Sequence, residues 1–191
     1  MTINPVEFKL KDGRVAILKS PENEDIPGIL DYLYTSAGET DFILRYPEEC
    51  TRYTPEKEKE LIDQMNRSEE EAMIICVVDG FESLVNSRKV AGNCSIHWKN
   101  RIKTKHRASI GIALIKEFWN LGIGTRMFEE MTRIAVSNPD LLQLELEYVE
   151  GNSRARALYE KMGFRIAGVR PDAIRLKDGT ILNEYLMMKK L

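Results

Sequence analysis

Residues 110–125 constrain this chain more than any other stretch. An apolar segment, Ile110-Gly111-Ile112-Ala113-Leu114-Ile115, is followed within six residues by Leu121-Gly122-Ile123-Gly124-Thr125. From Ile123 onward, Met127, Phe128, Met131, Ile134 and Ala135 recur at helical spacing and make a single apolar stripe. The first segment reads as a strand, and its near-continuous hydrophobicity predicts burial on both faces of a sheet. The pair is therefore a strand turning into a helix through a bare backbone. A helix start has unpaired N–H groups and the positive end of the macrodipole, so it favours anions. Glycines at 122 and 124 let a phosphate reach the main chain without meeting a Cβ. A tight strand–helix connection that needs two glycines for packing is the alternative reading.

Two common phosphate motifs are excluded. A dinucleotide fingerprint needs Gly or Ala three residues after the second glycine, where Met127 stands, and no acidic residue ends a second strand in a plain βαβ unit. A P-loop needs Gly-Lys-Ser/Thr, a triplet this chain lacks. Downstream, Leu141–Val149 reads as a strand, followed by Asn152-Ser-Arg-Ala-Arg-Ala-Leu-Tyr159-Glu-Lys-Met-Gly163-Phe164. Ala155, Leu158, Tyr159 and Met162 form a second helical stripe, and Gly163 stands where a helix ends.

On these residues the chain resembles the GNAT superfamily of acetyl-CoA-dependent N-acetyltransferases. That family's cofactor motif, Gln/Arg-x-x-Gly-x-Gly/Ala, is similar to Trp119-Asn-Leu-Gly122-Ile-Gly124, with Trp119 in place of Gln/Arg. The departure resembles the branch of ribosomal-protein N-acetyltransferases and bears on one side-chain contact, because the phosphate contacts there are mainly backbone N–H groups. The second motif, Asn-x-x-Ala-x-x-Leu-Tyr-x-Lys-x-Gly-Phe, matches at every fixed position from Asn152 to Phe164. With Tyr185-Leu-Met187, the resemblance is strongest over residues 70–191 and weaker before them, where the family varies with its acceptor. It implies an α+β fold, a mixed and mostly antiparallel central sheet with helices on both faces in three α/β/α layers, forming one domain over residues 1–191.

The implied reaction transfers acetyl from acetyl-CoA directly to an amine, with neither a metal nor a covalent enzyme intermediate. The amine must lose a proton, the oxyanion needs a donor, and the departing thiolate needs a proton. By resemblance, a main-chain N–H among Ile112, Ala113 and Leu114 serves the oxyanion. Trp119, Asn120, Leu121, Gly122, Ile123, Gly124 and Thr125 form the phosphate cradle. Tyr159 matches the family's general acid, although its place on an apolar stripe also suits a core tyrosine. Asn152 either holds the pantetheine arm or caps its helix. Arg154, with Arg126 and Arg156, can reach a CoA phosphate or sit as a solvated charge. For the base, Glu145 and then Glu147 point away from the Leu144/Leu146 face of their strand. Ion pairs to arginines of a neighbouring helix are their alternative role. His97 and His106 follow as candidates and are more often structural on a strand.

The acceptor is a small amine or a protein N-terminus, and residues 39–46 suit the wall of an amine pocket. A CoA-binding regulatory domain without turnover is the reading from another class. A net charge of −2 argues against a nucleic-acid partner. No apolar run reaches membrane-spanning length, and the first residues lack the basic and apolar regions of a leader, so the cytoplasm is expected and a membrane partner is not. A homodimer is compatible with this reading. Three cysteines without metal spacing fit a reducing compartment. Cys76 and Cys94 fall in apolar strands as inert thiols, and Cys50 should be exposed.

The remaining chain reads as a hairpin over 7–19 turning at Asp12-Gly13, and a helix from Ser20-Pro21 with Ile26, Ile29, Leu30 and Leu33 inward. A second helix should start at Thr54-Pro55 with Leu61, Ile62 and Met65 inward. Strands follow at 72–78 and 89–98 around a long connection over 79–88, then at 106–115, and closing strands at 164–169 and 184–189 join through Lys177-Asp-Gly-Thr180. Antiparallel strands first and alternating helices later indicate a mixed α+β sheet.

Overall fold

The computed structural model describes residues 1–79, 88–98 and 101–191. The expected connection between the third and fourth strands lies largely outside the described residues. Among the described residues eight strands form one sheet: β1 (Val6–Lys9), β2 (Val15–Lys19), β3 (Glu71–Asp79), β4 (Arg88–Trp98), β5 (Arg107–Leu114), β6 (Gln143–Val149), β7 (Arg165–Arg175) and β8 (Ile181–Lys190), in the order β1-β2-β3-β4-β5-β6-β8-β7. Among the same described residues four α-helices accompany it: α1 (Ile26–Glu39), α2 (Pro55–Arg67), α3 (Ile123–Ser137) and α4 (Ser153–Lys161). β5 and β6 pair in parallel, while β1–β2, β2–β3, β6–β8 and β7–β8 pair antiparallel. Because successive strand residues face opposite sides, the unbroken burial of Ala72–Val78 means that β3 is covered on both faces.

The chain divides into two units, Met1–Ser95 with Ile112–Met127, and Ile96–Gly111 with Phe128–Leu191. In the first, the Asp12-Gly13 hairpin forms as expected, with Val6 opposite Leu18. The helix expected at Ser20-Pro21 begins later, with Pro27 in its first turn. Ser20 instead accepts from the Ile3 amide at 2.9 Å. The inner face of α1 carries two residues that an apolar pattern does not flag, Tyr32 and Ser36, beside Ile29, Leu33 and Ala37. α2 starts where expected, its Thr54 hydroxyl accepting from the Lys57 amide at 3.4 Å. Its buried face is Glu58, Ile62 and Met65, and Leu61 is turned to solvent. The i, i+4, i+7 row keeps Ile62 and Met65 inward, and Leu61, one residue from Ile62, is rotated off it.

In the second unit, the closing hairpin is longer than expected. β7 passes through Pro171, where the register breaks between Arg170 and Ile174 and Asp172 takes a φ of 50°. A bulge on an edge strand is where a sheet tolerates proline. The α3 stripe lies as expected: Ile123, Met127, Phe128, Met131, Ile134 and Ala135 are all buried. Of the α4 stripe only Tyr159 is fully buried, while Ala155, Leu158 and Met162 are half-covered.

The strand before the glycine loop departs from expectation. Ile110 and Ile115 are buried, Gly111 is exposed, and Ile112, Ala113 and Leu114 are only half-buried. The β5–β6 ladder explains this, for it consists of Arg107↔Gln143, Ala108↔Leu144 and Ser109↔Glu145. β5 runs on for five residues beyond it, so an apolar strand leaves backbone on one edge outside that ladder.

Candidate functional site

In the first unit the site is built around the end of β5 and the start of α3. The Ile115 amide donates to Ala91 of β4 at 3.0 Å. By the alternation of extended backbone, Ile112 and Leu114 turn their amides to the other edge. There the Leu114 carbonyl accepts from the Trp119 indole at 2.8 Å. Trp119 thus ties the connection back onto the strand. The short helical turn Lys116–Phe118 is pinned as well: the Lys116 amide donates to Glu39, and Glu117 pairs with Lys89 and Arg14 at 2.7 and 3.3 Å. Those two cations, Lys89 foremost, hold the Glu117 carboxyl below its ordinary pKa.

β4 and β5 approach closely at Gly92. A Cβ there would lie 2.2 Å from the Ala113 carbonyl oxygen and 2.9 Å from the Leu114 Cα, so no side chain fits. Sequence reasoning passed over this glycine, yet a Gly inside the apolar run Val90-Ala91-Gly92 is itself the sign of close backbone approach. It also missed Tyr32, whose hydroxyl donates to Asn93 at 2.8 Å and lies 3.4 Å from the Ala113 carbonyl. Burial pushes the Tyr32 pKa up to about 12, against the opposing pull of Arg45.

The loop itself has the left-handed backbone that glycine and asparagine tolerate, at Asn120 (φ 65°) and Gly122 (φ 99°). Leu121 accepts from the Lys11 amide at 3.3 Å. Ile123 is fully buried, and Gly124 and Thr125 belong to the first turn of α3. The first bond of the helix runs from the Arg126 amide to the Gly122 carbonyl at 3.2 Å. The amides of Ile123 and Gly124 precede it, where a helix has no carbonyl to offer them. Over Gly122 a Cβ would meet nothing within 4 Å. The backbone at the start of α3 is thus uncovered at Gly122, at the helix end that favours an anion. The Arg126 guanidinium stands 5.7 Å from the Phe8 ring centroid.

In the second unit, Tyr159 is 6% exposed and packs edge-on against Phe128 at 5.4 Å and Tyr148 at 6.2 Å. Among the described residues nothing hydrogen-bonds its hydroxyl, which is not one of the sealed orphan polar atoms. Burial raises its pKa to about 12, so the phenol stays protonated across the neutral range. Of the two roles weighed for it, the packing shows the core one: the ring is buried against Phe128 and Tyr148. Asn152 caps α4, accepting from the Ala155 amide at 3.1 Å. Arg154 is exposed, and Arg156 pairs with Glu160 at 2.8 Å.

Glu145 and Glu147 share a strand face but not an environment. Glu145 is buried and accepts two bonds from Arg107, both at 2.6 Å, and another from Gln143, which in turn accepts from Lys190. Its partner is on the neighbouring strand, not on the helix that the sequence suggested. Glu147 is exposed and stands 3.3 Å from Arg170, which also bonds Glu184. His97 is exposed, and His106 is half-buried with its carbonyl accepting from Leu142. Cys76 and Cys94 are buried, burial pushing the Cys76 thiol up to about 12. Cys50 is half-buried rather than exposed, facing the Leu33 and Tyr46 carbonyls. Among the described residues no group of His, Cys, Asp and Glu is disposed to hold a metal ion, and no helix is long and apolar enough to cross a membrane.

A mixed, mostly antiparallel eight-stranded sheet with a glycine cradle opening α3 and a tyrosine on α4 defines an acetyltransferase of the GNAT class. The sequence profile of the acetyltransferase (GNAT) domain matches residues 16–165, and the chain belongs to this family. Solved structures share the fold. An acetyltransferase of the GNAT family from Streptococcus pneumoniae superposes with a TM-score of 0.81 at 24% identity, covering 92% of this chain and 99% of its own. A GCN5-related N-acetyltransferase from Kribbella flavida gives 0.71 at 22%, covering 92% and 98%. A ribosomal-protein-alanine N-acetyltransferase from Brucella melitensis gives 0.71 at 19%, covering 91% and 99%. A comparison with curated proteins returned no match.

Proposed function

We propose that this acetyltransferase takes its acetyl group from acetyl-CoA and passes it directly to an amine, in the cytoplasm. The observation that carries the reading is the open backbone at Gly122, at the start of α3: left-handed φ and no atom within 4 Å of a virtual Cβ. Gly122, Ile123, Gly124 and Thr125 offer backbone to the pyrophosphate, with Asn120 and Leu121 shaping the turn. Trp119 serves by locking that turn to Leu114. Arg154 is the exposed cation for a phosphate, and Asn152 keeps its amide nitrogen for the pantetheine arm while its oxygen caps α4. The outward amides of Ile112 and Leu114 are the oxyanion donors, Ala113 turning the other way.

Tyr159 assists the departing sulfur. A thiol of pKa about 8.5 facing a phenol near 12 makes full proton transfer uphill by about 5 kcal/mol. Tyr159 therefore donates a hydrogen bond as charge develops, and solvent completes the protonation. Of the two carboxylates proposed as base, Glu147 fits proton removal better, because both oxygens of Glu145 are held by Arg107. The acceptor is a small amine or a protein N-terminus.

The test needs no knowledge of the acceptor. A ligand at a hundredfold excess over Kd stabilises the native state by about 2.7 kcal/mol. For a chain of this length that raises the melting midpoint by about 5–10 °C. Acetyl-CoA and CoA should give this shift, with NAD and ATP clearly smaller at equal concentration, and an amine panel should release free thiol from acetyl-CoA. Equal response to NAD would defeat the acyl-CoA reading. Full CoA binding without thiol release from any amine would favour the regulatory reading instead.

A further inference from the structure

Arg45 belongs to the loop between α1 and α2, and its bonding is unusual for a half-buried cation. Its Nε and Nη2 donate to the Leu33 carbonyl at 3.4 Å each, and Nη2 donates to the Ser36 hydroxyl at 2.8 Å. All of these acceptors are neutral. Among the described residues no carboxylate stands within 4 Å of it, and its Nη1 hydrogen-bonds nothing. Elsewhere in the same unit, partly buried cations meet acids directly, as Arg14 does with Asp12 and Lys19 with Asp25. The neutral bonds take Nε and both protons of Nη2 and so fix the guanidinium plane, and the Nη1 protons remain to give a carboxylate a charge-assisted hydrogen bond.

The position of the guanidinium matters as much as its chemistry. Arg45 lies beside the Tyr32 hydroxyl, whose ionisation it favours, and that hydroxyl bonds Asn93 and borders the Ala113 carbonyl. Ala113 sits between the two proposed oxyanion donors. One buried side chain thus separates the guanidinium from the strand on which the acetyl group is expected. Glu58 of α2 is 4% exposed and has no ion-pair partner among the described residues; burial pushes its carboxyl above the ordinary range, and the Arg45 charge opposes that shift.

We propose that Arg45, held by Ser36 and the Leu33 carbonyl beside Tyr32, binds a carboxylate of the acceptor, so that the substrate class is amines that also carry a carboxylate. This rests on the N-acetyltransferase reading for what happens next, but the binding itself does not. Its test pairs α-amino acids and tripeptides with their own carboxamides, measured by calorimetric binding and by thiol release from acetyl-CoA. The native protein should favour the carboxylate member of at least one pair by about tenfold or more. Arg45→Gln should bring that ratio to within about twofold of one, and Arg45→Lys, which keeps the charge but cannot be held in the same plane by Leu33 and Ser36, should restore part of it. Acetyl-CoA affinity should be unchanged in both variants. Thiol release with no carboxylate preference, an Arg45→Gln protein that keeps the preference, or no binding of any pair overturns the proposal. Carboxylate discrimination without acetyl-CoA binding would support Arg45 and defeat the transferase reading alone. The two arms also separate a free amino acid from a peptide as the source of the carboxylate.

Discussion

Replacing Gly122 by alanine separates backbone strain from ligand exclusion. A methyl group added there meets no protein atom within 4 Å, so the free protein suffers no clash. What it does suffer is the φ of 99°, which costs an L-residue about 1–2 kcal/mol. That is small against a folding stability of about 5–15 kcal/mol, so the variant folds, with a melting midpoint lower by about 2–8 °C. The same methyl group stands in the open cradle. If a pyrophosphate oxygen occupies that space, affinity for acetyl-CoA falls by about tenfold or more, a loss of about 1.4 kcal/mol. At a ligand concentration a hundred times the native Kd, stabilisation then drops from about 2.7 to about 1.4 kcal/mol, and the ligand-induced shift is roughly halved. Scanning fluorimetry with and without acetyl-CoA reads both effects in one experiment. An undiminished shift on a lowered baseline would move the phosphate site away from Gly122. An unlowered baseline would mean that the left-handed turn is not required.

Three further outcomes follow from the site. Tyr159→Phe keeps the packed ring and removes the hydroxyl, so kcat should fall by about 10²-fold with acetyl-CoA affinity unchanged; steady-state rates within twofold of native would leave Tyr159 as packing alone. Glu147→Gln should lower kcat at neutral pH with little change in stability, whereas Glu145→Gln should lower stability by about 1–3 kcal/mol, because it breaks a charge-assisted pair with Arg107. Urea titration and steady-state rates on one preparation separate the two, and the reverse pattern would make Glu145 the base. Tyr32 and Tyr159 both have pKa values raised by burial from 10.0 to about 12. The stability they contribute is thus fully present below pH 10 and is lost as pH rises from about 10 to about 12, roughly 2–3 kcal/mol for each tyrosine. A urea midpoint that is flat to pH 11.5 would contradict that burial, and either Tyr→Phe variant should lessen the decline.

Local periodicity and turn chemistry were enough to find the first hairpin, α2, α3, α4 and most strands, because those signals act over a few residues. The α3 stripe is buried at every position the spacing named. The family motifs located the glycine cradle and Tyr159 in the same way, since each is a contiguous run. Leu61 shows the limit of that reasoning. Its hydrophobicity marks it for the core, but Glu58, Ile62 and Met65 form the row that packs, and only the neighbours of a helix decide which row that is.

The sequence by itself determined the class of protein, for a strand, two spaced glycines and a second helix with its tyrosine encode a backbone shape that short-range sterics enforce. Tertiary structure alone decided how individual charges are used. Glu145 and Glu147 are indistinguishable on an alternating strand, yet register sets Glu145 beside Ser109, where Arg107 reaches it, and leaves Glu147 near solvent. The half-buried end of β5 was likewise invisible, because an apolar run predicts full burial and only the ending of the ladder at Ser109 leaves that edge of the strand outside it. Tyr32, Arg45 and Asn93 are separated by up to 61 residues and share no local pattern. Their meeting depends on long-range packing of α1, the loop after it and β4, which no window of sequence contains.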